Sequence, residues 1–270
     1  DRVTRGLGGW GGERVGPPPA NIATPDALIR GGLAQAGLAG NATAAAIASG
    51  APAGSLNYTA KAAGDSALAF IVGAAYEKPE IALRVGLTYE SGYTHEFKTT
   101  EAMAFTAFNA GLAAAFAPST TNIEMPKSLT LDFQSGIAKD TLLFGAIRYS
   151  EWSVWQVKPR GYATLTGGSN ITDFKNNVIS YQLGVGRRLN ENFSVFARVG
   201  YEDAKGGVSS RLSPTDGNRS IGIGGSYTKD NMKITAGLEY VKLGDAVDGS
   251  GTRFKGSKAL GFGVTVGYRF

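Results

Sequence analysis

From Ala67 onward, apolar residues return at every second position in segments of about ten residues, each closed by a turn. Period two belongs to a β-strand whose two faces meet different surroundings. In Lys258 to Phe270 one face carries Leu260, Phe262, Val264, Val266, Tyr268 and Phe270, and the other carries Ala259, Gly261, Gly263, Thr265, Gly267 and Arg269. The same split recurs upstream. Ile234, Ala236, Leu238 and Tyr240 oppose Lys233, Thr235, Gly237 and Glu239, and Leu83, Val85, Leu87 and Tyr89 oppose Arg84, Gly86, Thr88 and Glu90.

With 39 Gly in 270 residues the chain is a poor helix former, because each interior Gly costs about 1 kcal/mol against Ala. The absence of Cys excludes a disulfide framework, a thiolate metal site and a thiol nucleophile. Apolar runs are broken well short of the ~20 residues a membrane-spanning helix needs. The chain opens Asp1-Arg2-Val3 without Met or an apolar leader, which reads as a mature, trimmed or fragmentary chain.

A soluble sandwich alternates as well, so the loops decide between it and a membrane barrel. Connections at 77–80, 139–140, 189–192 and 229–231 are short, and those at 98–124, 157–173, 204–218 and 244–257 are long. Short and long alternate, as in outer-membrane barrels with tight periplasmic turns and long external loops. Tyr76, Tyr89, Tyr149, Tyr201, Tyr227, Tyr240 and Tyr268 at strand ends suit an interfacial aromatic girdle. The reading is an all-β, transmembrane antiparallel β-barrel of a Gram-negative outer membrane, facing outer-membrane lipid and lipopolysaccharide. The terminal Phe270 resembles the strand signal read by the barrel assembly machinery.

Nine strands are expected, near 66–76, 81–95, 127–138, 141–156, 176–188, 192–204, 218–228, 232–243 and 258–270, with 57–63 as a candidate for another. Within this frame the run Met125-Pro126-Lys127-Ser128-Leu129-Thr130-Leu131-Asp132-Phe133 and then Tyr149-Ser150-Glu151-Trp152-Ser153 resemble the FadL family of outer-membrane transporters of long-chain fatty acids and hydrocarbons. Gly64-Asp65-Ser66, Tyr89-Glu90-Ser91 with Phe97, and Leu212-Ser213-Pro214 add to the resemblance in the same order. It implies a fourteen-stranded barrel of which this chain carries about nine strands, without the hatch and the first five. Residues 1–65 would then be a long external loop with short helices, and 66–270 the barrel strands, with a helical external loop at 98–124.

Two small-residue helical pieces are expected in Pro25 to Ala53 and another in Thr99 to Ala117, the latter with Glu101 near its start. Bare Phe and Leu in an external loop are penalised by water, so the two regions must cover each other or a ligand. The resemblance to the family's landing groove makes Leu28, Ile29, Leu33, Met103, Phe105, Phe108, Leu112 and Phe116 candidates for a groove that binds a hydrophobic small molecule. Plain packing of the loops as a lid accounts for the same pattern. The inward face carries Arg84, Glu90, Asp132, Phe144, Arg148, Trp152, Phe196, Arg198, Glu239 and Arg269 as lumen-lining candidates. Opposite charges there pair and stiffen the wall, and Arg84, Arg148 or Arg198 is also able to meet a carboxylate headgroup.

Chemistry is not expected. His95 is the only His, no G-x-S-x-G elbow occurs, and Gly222-Ile223-Gly224-Gly225 lies in mid-strand with no helix behind it. Asp245 and Asp248 are too few to hold Ca²⁺ firmly, so neither metal nor cofactor is expected. A net charge of +5 suits anionic partners, yet Lys and Arg are spread along the chain and never clustered, and nucleic acid is not expected. The sequence thus points to passage of hydrophobic molecules without catalysis. A non-specific porin-like channel and a structural or adhesive outer-membrane protein are the alternatives.

Overall fold

The computed structural model describes residues 29–31, 33–34, 40, 42–52, 56, 58–103, 115–210, 213–249 and 251–269. Seventeen strands occur among them. The first three are β1 (Tyr58–Ala62), β2 (Ile71–Lys78) and β3 (Leu83–Glu90), followed by β4 (Tyr93–Met103), β5 (Ser119–Met125), β6 (Ser128–Ala138) and β7 (Thr141–Ser150). Next come β8 (Gln156–Val157), β9 (Thr172–Asp173), β10 (Val178–Arg188), β11 (Phe193–Glu202) and β12 (Val208–Ser209). The last are β13 (Asn218–Lys229), β14 (Met232–Leu243), β15 (Ala246–Asp248), β16 (Arg253–Phe254) and β17 (Lys258–Tyr268). Helices α1 (Ala42–Gly50) and α2 (Arg160–Leu165) lie among the described residues, and residues 29–31 and 33–34 are helical as well. No described helix is long and apolar enough to cross a membrane, which says nothing about strands.

Nine strands form one sheet in the order β17-β14-β13-β11-β10-β7-β6-β3-β2. Every neighbouring pair in it is antiparallel. These are the nine segments that the alternation marks out. One end of the sheet is closed by tight turns, where Ala82, Asp140 and Asp230 take positive φ angles of 50°, 57° and 51°. Asp tolerates that conformation through its short polar side chain. Arg188 donates from Nε to Asp140 Oδ1 at 2.9 Å and from Nη2 at 2.5 Å, tying two such turns together. Within the described residues β2 and β17 are the sheet's edges, and they do not pair with each other.

Apolar side chains of the alternating set stand exposed on one face, as at Leu260 (75%), Phe262 (72%) and Ile223 (58%). In water such a face would be unstable; against acyl chains it is the expected surface. The opposite face is built from large residues laid over glycines. Phe144 pairs with Gly184 and Phe196 with Gly224. A Cβ at either glycine would come within 2.4 Å of its partner's ring. Asp132 covers Gly86 and Arg198 covers Gly222 in the same way. Glycine in these strands therefore makes room for a neighbour's bulk.

Several expected segments differ in extent: the strand expected at 141–156 ends at Ser150, the one expected at 66–76 begins at Ile71, and two more depart further. The strand expected at 81–95 ends at Glu90, and a second sheet, β1-β4-β5, begins beyond Ser91 and Gly92. Thr99 to Met103, expected as the start of a helix, is strand. The reason is register. Ala62 pairs with Thr99 and Ile71 with Glu90, so nine residues separate the two pairs on both strands (71 − 62 and 99 − 90). Tyr93 pairs with Met125 and Glu90 with Ser128, three residues on both strands. No residue is inserted, so β1, β4 and β5 continue β2, β3 and β6 outward in phase. Phe70 and Ser91 bridge the gap, Ser91 N donating to the Phe70 carbonyl and Phe70 N to Ser91 Oγ, both at 3.0 Å.

Substituting Gly184→Ala forces Phe144 off the wall and is expected to cost about 1–3 kcal/mol. The urea midpoint of the detergent-solubilised protein measures this. Partial recovery in the double variant Gly184→Ala/Phe144→Leu identifies the ring as the cause.

Candidate functional site

Most of the buried apolar residues gather beside the outer sheet. Ile29, Leu33, Ile47, Ala51, Leu56 and Leu165 form one cluster, with Ala48, Tyr58, Phe116 and Tyr162 packed against it. Leu33 and Leu56 are fully buried, each contributing about 1.5–3 kcal/mol. Arg30 closes the end of α1, donating to the Ala48 carbonyl at 2.6 Å and the Pro52 carbonyl at 3.1 Å. A cation suits a helix C-terminus, where carbonyls are left unpaired.

A buried carboxylate joins this cluster to the sheet. Glu101, on β4, accepts hydrogen bonds from the Tyr58 hydroxyl at 2.6 Å, Gly161 N at 2.8 Å and Tyr162 N at 2.9 Å. The last two are unpaired donors of the first turn of α2. Gly161 permits the approach, since a Cβ there would lie 2.9 Å from Glu101 Oε1. Glu101 does serve a helix start, as its position suggested, but the helix is α2, 60 residues further along the chain. Burial, and then the Glu101 carboxylate, push the Tyr58 hydroxyl's pKa well above the usual range. Burial does the same to Tyr162. Tyr58 stands edge-on to Tyr162, with ring centroids 5.4 Å apart.

The side of β4 that meets the cluster follows from the two-residue period. Ser91, Thr99 and Glu101 are buried while Thr94, Glu96, Lys98 and Thr100 are exposed. Ser91, Thr99 and Glu101 share the parity of Tyr89 and Leu87, whose side chains stand on the lipid-facing side of β3. The cluster therefore sits above the lipid-facing side of the wall.

Of the eight groove candidates, Ile29 and Leu33 are in the buried cluster and Phe116 packs on it. Met103 ends β4, while Leu28, Phe105, Phe108 and Leu112 lie outside the described residues. A separate groove of about 590 Å³ opens along the outer sheet, lined by Lys61, Ala62, Lys98, Thr99, Pro118 and Ser119 among others, and among the described residues its lining does not include Ile29, Leu33 or Phe116.

On the inner face the three arginines each find a wall carboxylate. Arg148 Nη2 lies 2.7 Å from Glu90 Oε2, which also accepts from Ser128 Oγ at 3.0 Å. Arg198 pairs with Glu239, which accepts from Ser220 Oγ at 2.8 Å. Arg84 lies 3.4 Å from Glu77. Arg269 donates its backbone N–H to the Asn231 carbonyl at a tight turn. Trp152 is not on a wall strand. It opens the short 3-10 turn Trp152–Val154 beyond β7 and packs edge-on against Phe174, which Trp155 also meets at 4.9 Å between centroids.

His95 is held at the outer sheet. Its Nδ1 lies 3.1 Å from Asp65 Oδ2, the oxygen that also accepts from Glu96 N at 3.0 Å. Rings of Tyr93 and Phe97 flank it. The Glu96 amide, and then His95, hold the Asp65 carboxyl below its ordinary 3.8. Asp245 and Asp248 each accept a loop amide at 2.9 Å, from Gly256 and Thr252.

A family model described as outer membrane protein transport protein (OMPP1/FadL/TodX) matches residues 24–270. The chain belongs to this family. The resemblance seen in Met125–Phe133 and Tyr149–Ser153 is thereby borne out, as is the all-β, antiparallel barrel class. A FadL homologue from Pseudomonas aeruginosa is similar in structure, with a TM-score of 0.52 and 14% identity over 73% of this chain and 49% of that one. At this identity the likeness is one of fold. The toluene transporter TodX of Pseudomonas putida aligns at a TM-score of 0.42 and 16% identity, over 73% of this chain and 46% of that one. The chain spans about half the length of these solved FadL-family structures. No curated protein sequence matches it.

Two outcomes test the outer sheet. Glu101→Ala strips two α2 amides and the Tyr58 hydroxyl of their acceptor and is expected to cost about 3 kcal/mol locally. It appears as faster hydrogen exchange at Gly161 and Tyr162 with the wall amides unchanged. Because the folded Asp65 carboxyl titrates below 3.8, its tie to β4 is complete above the ordinary carboxylate range and is lost only as pH falls through the lower folded value. Protection of the Glu96 amide should accordingly survive at pH 4 and disappear in stronger acid, and Asp65→Ala should abolish it at every pH.

Proposed function

We propose that this FadL-family chain carries hydrophobic small molecules, long-chain fatty acids or aromatic and aliphatic hydrocarbons, across the outer membrane without performing chemistry on them. One observation carries the reading: a water-excluded apolar cluster outside the wall, on strands that run in register into it. An apolar solute reaching that cluster gains ~0.8 kcal/mol for each CH₂ it withdraws from water. The cluster's position above the lipid-facing side favours capture at the level of the outer leaflet. On this reading residues 1–65 and 98–124 are external, with Leu28, Ile29, Leu33, Met103, Phe105, Phe108, Leu112 and Phe116 as the capture surface. Passage then follows the inner face past Phe144 and Phe196, whose rings give it apolar ground between the paired charges.

A porin-like pore is the competing reading, favoured by the ion pairs Arg148–Glu90 and Arg198–Glu239 on the inner face. Oleate and toluene, titrated separately into the detergent-purified protein, distinguish the two. Trp152 and Trp155 provide the fluorescence signal and native mass spectrometry the stoichiometry. Saturable binding of at least one ligand is expected, weakened about five- to tenfold by Phe116→Ala, which loses part of one ring's burial. The double variant Phe105→Asp/Phe108→Asp is expected to abolish it. If neither ligand saturates while liposomes bearing the protein swell in small sugars, the wet pore is correct.

A further inference from the structure

The register of the wall assembles three cations that lie far apart in the sequence. Arg219 on β13 pairs with Lys242 on β14, and Lys242 pairs with Lys258 on β17. They form one row across three adjacent strands. On its other side Arg219 pairs with Tyr201 of β11, and its guanidinium carbon stands 5.8 Å from that ring's centroid. Counting by twos, Arg219 shares its face with Ile221 and Ile223, Lys242 with Tyr240 and Leu238, and Lys258 with Leu260 and Phe262. That face is the lipid-facing one, and all three cations are exposed on it.

Like charges set directly opposite on neighbouring strands repel. Three inner-face arginines are paired with wall carboxylates, Arg84 with Glu77, Arg148 with Glu90 and Arg198 with Glu239. Among the described residues no carboxylate pairs with Arg219, Lys242 or Lys258. Close by in sequence, Asp203 is engaged by the Tyr201 hydroxyl at 2.9 Å and lies 3.6 Å from Lys205. The row therefore lacks a counter-anion of its own.

Its height says where one would come from. Lys229 ends β13 at the tight-turn side and Arg219 lies ten residues away, with an apolar or aromatic residue or Gly225 at each alternate position between them. Ten residues at ~3.3 Å, tilted by ~40°, rise about 25 Å, the thickness of the apolar band of such barrels. Arg219, Lys242 and Lys258 consequently stand at the headgroup level of the outer leaflet, with Ile221, Tyr240 and Leu260 immediately below them. An anion there with acyl chains beneath it matches both halves of the surface. We propose that this row binds the phosphate of a phosphorylated outer-leaflet lipid, whose chains lie along the apolar strip of β13, β14 and β17. The assignment rests on membrane placement and not on what the protein carries.

The test uses native mass spectrometry of the detergent-purified full chain, titrated with bisphosphorylated lipid A, with lipid A stripped of its phosphates, and with inorganic pyrophosphate. A surface cation at a headgroup contributes about fivefold to affinity, so the row contributes roughly a hundredfold. Arg219→Gln/Lys242→Gln/Lys258→Gln should lose that factor for the phosphorylated lipid while keeping its β-sheet circular dichroism. The phosphate-free lipid should bind the wild type as weakly as the phosphorylated lipid binds the variant. Lys229→Gln, at the other end of β13, should change nothing. Should the triple variant fail to fold, Lys242→Gln alone is expected to lose about fivefold. Equal retention of both lipids, undiminished binding by the folded variant, or pyrophosphate binding as tightly as the phosphorylated lipid overturns the proposal. Oleate binding in the triple variant is expected to be unchanged, so failure here leaves the transport reading standing, and the reverse.

Discussion

Inside a bilayer a peptide group has no water to bond, and each unpaired N–H or C=O costs several kcal/mol, so a strand crossing it must be paired along its whole length on both sides. Continuous pairing fixes register, and register places each side chain, because the side-chain period is two. That chain of consequence runs through the molecule. Eight antiparallel pairings, with one register shift at the Gly136–Ala138 end of β6, put Leu260, Ile223 and Val85 toward lipid, and set Phe144 across from Gly184 and Phe196 across from Gly224. A slip of one residue in β11 would drive Arg198 and Phe196 into lipid, and one in β14 would do the same to Glu239.

The same ladder continues beyond the nine-stranded sheet with a different purpose. β1, β4 and β5 keep the register of β2, β3 and β6, so the outer sheet is a rigid extension of the wall and not a loop lying on it. One side of that extension is covered by residues of α1 and α2 and by Phe116. Glu101 makes the covering specific. An apolar contact would hold α2 anywhere on the cluster, whereas one carboxylate accepting the Gly161 and Tyr162 amides and the Tyr58 hydroxyl admits a single position.

What the sequence made legible follows from which features are local. Alternation is local, so all nine wall strands and their faces could be read, whereas the laying of Phe144 and Phe196 over cross-strand glycines depends on register and could not. The break at Ser91-Gly92 was hidden because Tyr93, His95 and Phe97 go on alternating beyond it. A helix was expected over Thr99 to Ala117 because Ala and Phe there repeat at helical spacing, but tertiary pairing overrode that preference as far as Met103. Partners of Glu101 sit 43 and 60 residues away, at a distance no periodicity spans. Trp152, placed on the inner wall by parity, lies in the turn that follows Ser150, where parity no longer applies.

The charge distribution shows most plainly how far apart sequence and register can be. Read along the chain, 27 basic and 22 acidic residues look evenly mixed, with no run of cations anywhere. Read across the sheet, they sort by face. The inner face holds opposite charges on nearby strands, Arg148 with Glu90 and Arg198 with Glu239, and is nearly self-neutral. The lipid-facing side holds Arg219, Lys242 and Lys258 as one row, though they are 23 and 16 residues apart along the chain (242 − 219 and 258 − 242). A formal excess of five positive charges is uninformative as a total. Divided by face it has a direction, because a wall that balances its own charges inside and leaves cations unbalanced outside depends on its surroundings for the missing anions.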